Sequence, residues 1–125
     1  MSLLQVKKDF EQYFMDNYNE TQVHWAGMNW DINKYDEWVY FEYVGQSVDD
    51  LGLDNTIYNH SGYLDITIVA KTRFRVMDIA DIIIGTFKGK KIADSFTSGV
   101  RIVSTGTIKD IDKSYTDINI EIKMV

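Results

Sequence analysis

Apolar residues near the N-terminus recur at spacings of three and four positions, with charged and amide side chains between them. The apolar set consists of Leu3, Val6, Phe10, Tyr13 and Phe14. This spacing is typical of an amphipathic helix that buries one face. We expect Ser2 and Gln5 to form a capping box at its start, and Asn17 and Asn19 to end it.

The next part of the chain carries strand-forming residues between segments rich in Gly, Asn and Asp. Residues 22–25 are a short strand candidate, and residues 26–36 are a predicted loop. Residues 37–44 are rich in aromatic and β-branched side chains, which favours a strand. Because both faces of this strand are bulky, it is either central in a sheet or covered by a partner. Residues 45–62 predict a long polar loop, and we expect its 45–61 part to be poorly ordered until a neighbouring subunit covers it.

The second half combines a strand alternation, a helical stripe and a terminal hairpin. Residues 63–71 alternate apolar and polar side chains, as a strand with one buried face does. Helical spacing predicts a second helix, with Gly89 as its C-terminal cap. The stripe of this helix consists of Val76, Ile79, Ala80, Ile83 and Phe87. We expect Ile92 to start a short edge segment, and residues 99–108 and 114–124 to form a hairpin.

These elements predict an α+β fold in one domain that spans residues 1–125, in the order α-β-β-β-α-β-β. We expect a mostly antiparallel sheet with both helices packed on one face. The stripe of the second helix should then be buried against Leu64, Ile66, Ile68, Ile118, Ile120 and Ile122.

Composition narrows the possible functions. The net charge of −6 argues against a nucleic-acid-binding surface. The chain has no Cys, which excludes disulfides, thiolate metal sites and a Cys nucleophile. Eight Tyr, six Phe and three Trp exceed what a small core can hide, so we expect aromatic side chains at an interface. The most apolar run, residues 79–84, is too short to span a bilayer, and we expect no membrane partner.

Candidate catalytic and metal-binding residues are few and isolated. Neither His24 nor His60 has a second His or Cys near it in the sequence, as His-based metal sites usually need. Residues 85–90 depart from the spacing of a phosphate-binding loop and lie at a helix C-terminus, where the dipole repels phosphate. The aspartates of residues 49–54 lack EF-hand spacing. We therefore predict no enzyme activity, no catalytic residue, no cofactor and no metal.

Charge is unevenly distributed along the chain. Residues 31–54 hold seven acidic side chains and one Lys, whereas residues 71–101 hold seven basic and three acidic ones. This distribution is either ordinary surface scatter or a pair of opposite patches that would let copies associate head to tail. With the aromatic residues nearby, it defines the candidate subunit interface. The candidate residues are Trp30, Tyr35, Trp38, Asp49, Asp50, Asp54, Arg73, Arg75, Lys90 and Lys91.

Several segments together carry a family resemblance that covers nearly the whole chain. They are the aromatic strand 38–43, the Gly-Tyr-Leu strand 62–68, the Ala-Asp helix 79–83 closing at Phe87, and the terminal hairpin. In this order they resemble the tail terminator and tail-completion proteins of long-tailed bacteriophages and prophages. The chain departs from that family in having no Pro and a shorter connection between the second of these strands and the helix.

The resemblance implies a role in virion assembly. Such proteins form a ring, usually a hexamer, that caps the tail tube, ends tube polymerisation and joins the tail to the head connector. The expected partners are then the chain itself, the tail-tube protein and the head-connector protein, with DNA only passing through the ring lumen. The expected location is the virion, after assembly in the cytoplasm of the bacterial host. The family carries no catalytic residues that could be transferred to this chain.

Two other classes of function stay open from the residues. In a small-ligand or enzymatic domain, His24, Trp25, Trp30 and Trp38 would line a cavity, with Asp65 or Glu42 as the acid or base. In an acidic phage-encoded inhibitor that mimics DNA, the negative net charge would be the functional feature, although the basic segment 71–101 does not suit it.

Overall fold

The computed structural model describes residues 3–29, 34–50, 58–92 and 95–124. Two helices and six strands follow one another in these ranges. In chain order they are α1 (Leu3–Asn17), β1 (Gln22–Trp25), β2 (Trp38–Asp50), β3 (Tyr58–Ala70), α2 (Arg73–Phe87), β4 (Lys91–Ile92), β5 (Ser95–Ile108) and β6 (Lys113–Met124). Within the described ranges, neither helix is long and apolar enough to cross a membrane.

All six strands belong to one sheet with the order β1-β2-β3-β6-β5-β4. β1 is parallel to β2, and every other pair of neighbours is antiparallel. Both helices lie on one face, because their buried side chains join the same cluster as the inward side chains of β2, β3 and β6. The predicted α+β fold is therefore confirmed. The predicted edge segment at Ile92 is β4, which pairs with the first two residues of β5.

The helix α1 forms where the first apolar stripe predicts it. Val6, Phe10 and Phe14 are at most 2% exposed, and the outward positions are polar or partly exposed. At its end, Asn17 donates its side-chain amide to the carbonyl of Tyr13, which satisfies a carbonyl of the last turn. The predicted capping partner Ser2 lies outside the described residues.

The helix α2 has well-defined ends. Thr72 caps its start by accepting a hydrogen bond from the backbone N–H of Arg75 at 3.2 Å. At the other end, Lys88 donates its N–H to the carbonyl of Ile84, and Gly89 follows with a φ of +61°. This positive φ suits glycine, and it confirms the predicted helix end at Gly89.

The core lies between the two helices and the sheet. All six strand residues predicted to be inward are at most 2% exposed, as are Val76, Ile79, Ile83 and Phe87 of the α2 stripe; Ala80 is partly buried. Three aromatic rings join the two helices to β2: Phe14 lies 4.7 Å from Phe41 and 5.5 Å from Phe87, centroid to centroid. The predicted core is confirmed, and it extends to Val39 and Phe41.

The predicted polar loop is wrong over residues 45–50 and 58–62, because β2 continues to Asp50 and β3 begins at Tyr58. The polar composition of this segment is compatible with a strand, since a β-ladder is made by backbone groups. The expectation that residues 45–61 are poorly ordered until a neighbouring subunit covers them stays a prediction, and residues 51–57 lie outside the described residues. A register shift between Gly45 and Ser47 bends the ladder at this point.

Gly62 is required beside that bend. A Cβ atom at this position would lie 2.5 Å from the carbonyl oxygen of Val44, a backbone atom that cannot rotate away. Close approach of two backbones is a common reason for glycine inside a strand. The glycine that suggested a loop in the sequence is therefore a pairing residue of the hairpin.

Candidate subunit interface

The structure separates the ten predicted interface residues into different environments. Trp30 and Asp54 lie outside the described residues, as do the side chains of Asp49 and Asp50. Trp38 is 5% exposed, so its ring is part of the packed structure and does not form an outer surface. Of the two alternatives that the sequence left open for this strand, β2 is the inner one, between β1 and β3, and the candidate interface residue Trp38 is buried within the subunit.

Arg75 is engaged within its own subunit. Its guanidinium binds Glu37 through two hydrogen bonds of 2.8 and 2.9 Å, and it also contacts Glu20 at 3.1 Å and Asp78 at 2.9 Å. These hydrogen bonds lower the pKa of Glu37 and raise the pKa of Arg75. Paired, bidentate contacts of this kind fix geometry as well as charge. Arg75 therefore ties the start of α2 to the segments that precede β1 and β2.

The acidic and basic segments meet inside one subunit. In addition to the pair of Arg75 with Glu37, Lys71 lies 3.3 Å from Asp36. The reason is topological: Trp38 pairs with Val69, so the start of β2 lies beside the end of β3, where α2 begins. Part of the predicted opposite-charge pattern is thus neutralised internally and is not available to a neighbouring copy.

The remaining basic candidates lie on the β4–β5 side of the molecule. Lys90 and Lys91 are exposed next to β4, and Arg73 is exposed with its Nη2 atom 3.4 Å from Thr105 Oγ1 of β5. Tyr35, by contrast, is half-buried near the opposite side, with the ammonium of Lys34 5.6 Å from its ring centroid. Among the candidates whose side chains the structure describes, Tyr35 therefore does not share a surface with Arg73, Lys90 and Lys91.

The outer edge of β5 is a candidate interface that the sequence analysis did not identify. β4 pairs with Ser95 and Phe96, and Thr97 donates its N–H to the carbonyl of Lys90. Across residues 98–108, no other described strand pairs with this edge. Val100, Ile102 and Val103 are 38%, 66% and 50% exposed there. An exposed apolar strand edge is a template for strand addition.

A second open edge lies on β2, at the opposite side of the sheet. β1 pairs with residues 38–41, and Ala26 adds one hydrogen bond to Phe41. From Glu42 to Asp50, the outer edge of β2 has no strand partner among the described residues. The β2–β3 hairpin also extends three residue pairs, Val48–Asp50 with Tyr58–His60, past the last pairing of β3 with β6 at Ser61.

The helix-free face of the sheet carries an acidic cluster. Glu42, Asp65 and Asn119 are cross-strand neighbours, and Asp117 lies one row away. Tyr40 donates to Glu42 at 2.6 Å, and Thr67 donates to Asp117 at 3.2 Å. Burial raises the pKa of Asp65 to about 7, with further contributions from its hydrogen bond to Asp117 and from the charges of Asp117 and Glu42.

Two acceptors in this cluster are buried without a hydrogen bond. They are the Oδ1 atoms of Asp65 and Asn119. Strand alternation places these residues on the polar face in the sequence, but their contact depends on the β2-β3-β6 pairing. Among the described residues, no group of three or more His, Cys, Asp or Glu side chains is arranged to hold a metal ion.

Two residues of the ligand-binding alternative, His24 and Trp25, lie on opposite faces of the sheet. His24 lies edge-on to Tyr40 with ring centroids 5.2 Å apart, on the helix-free face. Trp25 lies 5.4 Å from Phe41, on the helix side. Adjacent strand positions point to opposite faces, so His24 and Trp25 cannot line one cavity. Asp65 and Glu42 do meet, as described above.

Comparisons with known proteins do not assign this chain to a family. No protein-family model matches the sequence, and no curated protein matches it.

Proposed function

We propose that the chain is a structural subunit that assembles with copies of itself into a closed ring. The observation that carries this proposal is the pair of open strand edges, residues 42–50 of β2 and 98–108 of β5, at opposite sides of one sheet. A ring needs a heterologous contact, in which one surface meets a different surface of the next copy. Strand addition between the two edges supplies such a contact.

The strand directions support the same arrangement. β2 and β6 are both antiparallel to β3, and β5 is antiparallel to β6, so β5 runs opposite to β2. In a ring whose axis runs along the strands, β5 of one copy would therefore pair antiparallel with β2 of the next. Antiparallel ladders are slightly more stable per residue than parallel ones. The exposed side chains of Val100 and Ile102 would add apolar burial.

We further propose that this ring is a phage tail terminator. The support is the sequence resemblance together with the ring-compatible edges, since a fold by itself does not define a function. The ring, a hexamer in this proposal, would cap the tail tube, end its polymerisation and join it to the head connector in the virion. DNA would pass through the lumen without specific recognition, in keeping with the acidic net charge of the chain.

The experiment compares a β5-edge variant with a matched surface control. Light-scattering mass is measured over a concentration series for the wild type, for V100K/I102K and for Asp110→Lys, whose side chain is exposed in the turn between β5 and β6. We expect rings for the wild type and Asp110→Lys, and monomers for V100K/I102K with an unchanged circular dichroism spectrum. A wild type that stays monomeric at every concentration and with added tail tube contradicts the ring.

A genetic experiment tests the phage role separately. Deletion of the gene from its phage should give tails of irregular length, or tails without heads, by electron microscopy. Normal tails after deletion contradict the terminator role, even where the protein forms rings.

A small-ligand site on the helix-free face is the second candidate function. The observation that favours it is the acidic cluster in which Asp65 lies beside Glu42 and Asp117 on neighbouring strands. Burial and these neighbours raise the pKa of Asp65, and an acid that titrates near neutral pH suits proton transfer. A compound library screened by thermal shift against the wild type and Asp65→Asn would test it. Compounds that stabilise the wild type and not the variant favour this function, and a screen without such compounds counts against it.

A further inference from the structure

Phe74 is an apolar side chain without a packing role in its own subunit. It is 88% exposed, the highest value among the large apolar side chains of the described residues. The attachment of α2 to the sheet depends on Val76, Ile79 and their stripe, on the opposite side of the helix. Met77, one turn further along, is 58% exposed, and side chains three apart are neighbours on a helix surface. Together they form an apolar knob, defined here as Phe74 and Met77.

A groove in the same helix layer, on its β1 side, has the matching chemistry. It lies between α1 and the end of β1 and has a volume of about 490 Å³. Its lining is Lys7, Lys8, Glu11, Gln12, Met15, Trp25, Ala26 and Met28. Met15 and Met28 are 57% and 62% exposed, so the groove offers apolar surface to a partner. Flexible thioether side chains adapt readily to an inserted aromatic ring.

Charges around the two features are complementary. Asp78 and Asp81 lie next to the apolar knob on the surface of α2, because they follow Phe74 and Met77 by four positions. Lys7 and Lys8 lie on the rim of the groove. Asp78 is held by Arg75 and Lys7 lies 4.0 Å from Glu11, whereas Asp81 and Lys8 are exposed with no ion pair among the described residues.

The sheet geometry places the two features where neighbouring copies would meet. Both lie on the helix side of the sheet, the groove beside β1 and the knob at the end of α2 that contacts β5 through Arg73 and Thr105. Joining the β5 edge of one copy to the β2 edge of the next brings these two sides together.

We propose that the apolar knob of one copy inserts into the α1–β1 groove of a second copy, with Asp81 facing Lys8. This inference rests on the proposed ring and specifies how the helix-side surfaces of two neighbouring copies contact each other. Buried aromatic anchors supply most of the affinity of such contacts, while charge pairs at the rim set orientation and partner choice. High salt should weaken the contact, because the Asp81–Lys8 pair lies at a solvent-exposed rim.

The test is a charge-swap cycle read by light-scattering mass and sedimentation over a concentration series. Lys8→Glu and Asp81→Lys should each weaken self-association by about tenfold, because each places like charges together. The double variant should recover to within about threefold of the wild type, since it restores the pair in reverse. Phe74→Ser should weaken association by at least about tenfold. The control is Asp110→Lys, an exposed acid in the β5–β6 turn, which should leave association unchanged.

The outcomes separate this contact from the ring itself. If the wild type assembles and the double variant is no better than either single one, the Asp81–Lys8 contact is wrong and the ring stands. If Phe74→Ser assembles like the wild type, the knob does not enter the groove. A strictly monomeric wild type overturns both proposals. All four substituted side chains are exposed, so we expect the melting temperature of each variant to be unchanged. An unchanged melting temperature shows that a loss of self-association is not caused by unfolding.

Discussion

Arg75 binds both carboxylate oxygens of Glu37, with Nε 2.8 Å from Oε2 and Nη2 2.9 Å from Oε1. The pair joins two segments that lie 38 positions apart in the chain, the start of α2 and the start of β2. A residue expected to attract a neighbouring subunit is therefore bound within its own. Reversing the charge of Arg75 to test assembly would therefore also disturb the fold of the subunit.

Replacing Arg75 with Ala should destabilise the subunit by about 1–3 kcal/mol, because a bidentate, charge-assisted contact is lost and its acidic partners lose their cation. Arg73→Ala, with one contact at 3.4 Å, should change stability by no more than about 0.5 kcal/mol. Urea denaturation at neutral pH measures both variants. Equal stabilities for the two would show that the Arg75 contacts contribute nothing. For assembly tests, Arg73→Glu is the cleaner variant.

Replacing Gly62 with Ala should destabilise the β2–β3 hairpin by about 1–3 kcal/mol, because the new Cβ would meet the Val44 carbonyl oxygen and force the two backbones apart. Gly85→Ala is the matched control, since nothing lies within 4 Å of a Cβ at that exposed helical position. It should stabilise the subunit by about 0.5–1 kcal/mol through helix propensity. Thermal melting of the two variants should therefore shift in opposite directions.

Stability should fall as pH rises through the titration of Asp65. Its pKa is about 7 in the folded protein against 3.8 ordinarily, so the folded state binds the proton more tightly than the unfolded state. The contribution of this group is fully present below pH 3.8 and is lost as pH rises to about 7. Glu42 and Asp117 face Asp65 from the neighbouring strands, and Arg101 is the β5 partner of Asn119.

The measurement is urea denaturation at a series of pH values between 4.5 and 8 for the wild type and Asp65→Asn. The amide cannot ionise, so the slope of stability against pH should flatten in this variant. Asp110→Asn, at an exposed position in the turn between β5 and β6, is the control and should keep the wild-type slope. An unchanged slope in Asp65→Asn would mean that Asp65 titrates at its ordinary pKa.

Truncation of Ile83 to Ala should cost about 2–5 kcal/mol, because transfer and cavity terms both apply to a fully buried side chain. Ile102→Ala is the matched control, since the Ile102 side chain is 66% exposed on β5 and its loss should change monomer stability by no more than about 0.5 kcal/mol. Urea denaturation of the monomer checks both. A small effect at Ile83 would contradict the packing of α2 on the sheet.

The sequence by itself determined the elements that bury one face. Val76, Ile79, Ile83 and Phe87 recur at helical spacing, and Leu64, Ile66 and Ile68 alternate at strand spacing, so each pattern defines both an element and its inward side. The buried face of an element can be predicted locally, because it depends on the spacing of apolar side chains within one continuous segment. The same patterns predicted the core between helices and sheet, and the packing of both helices on one face of the sheet.

Only the tertiary structure decided what happens between elements that are distant in sequence. The extension of β2 and β3 through residues 45–50 and 58–62 depends on backbone pairing. Polar and glycine residues can take part in such pairing, but they give no strand pattern in the sequence. The pairing of Arg75 with Glu37, the clustering of Asp65 with Asp117, and the open edges of β2 and β5 all depend on strand order. Strand order is set by the packing of the whole chain. The neighbours of a charged side chain, and the strand edges left unpaired, are therefore determined only when the sheet is complete.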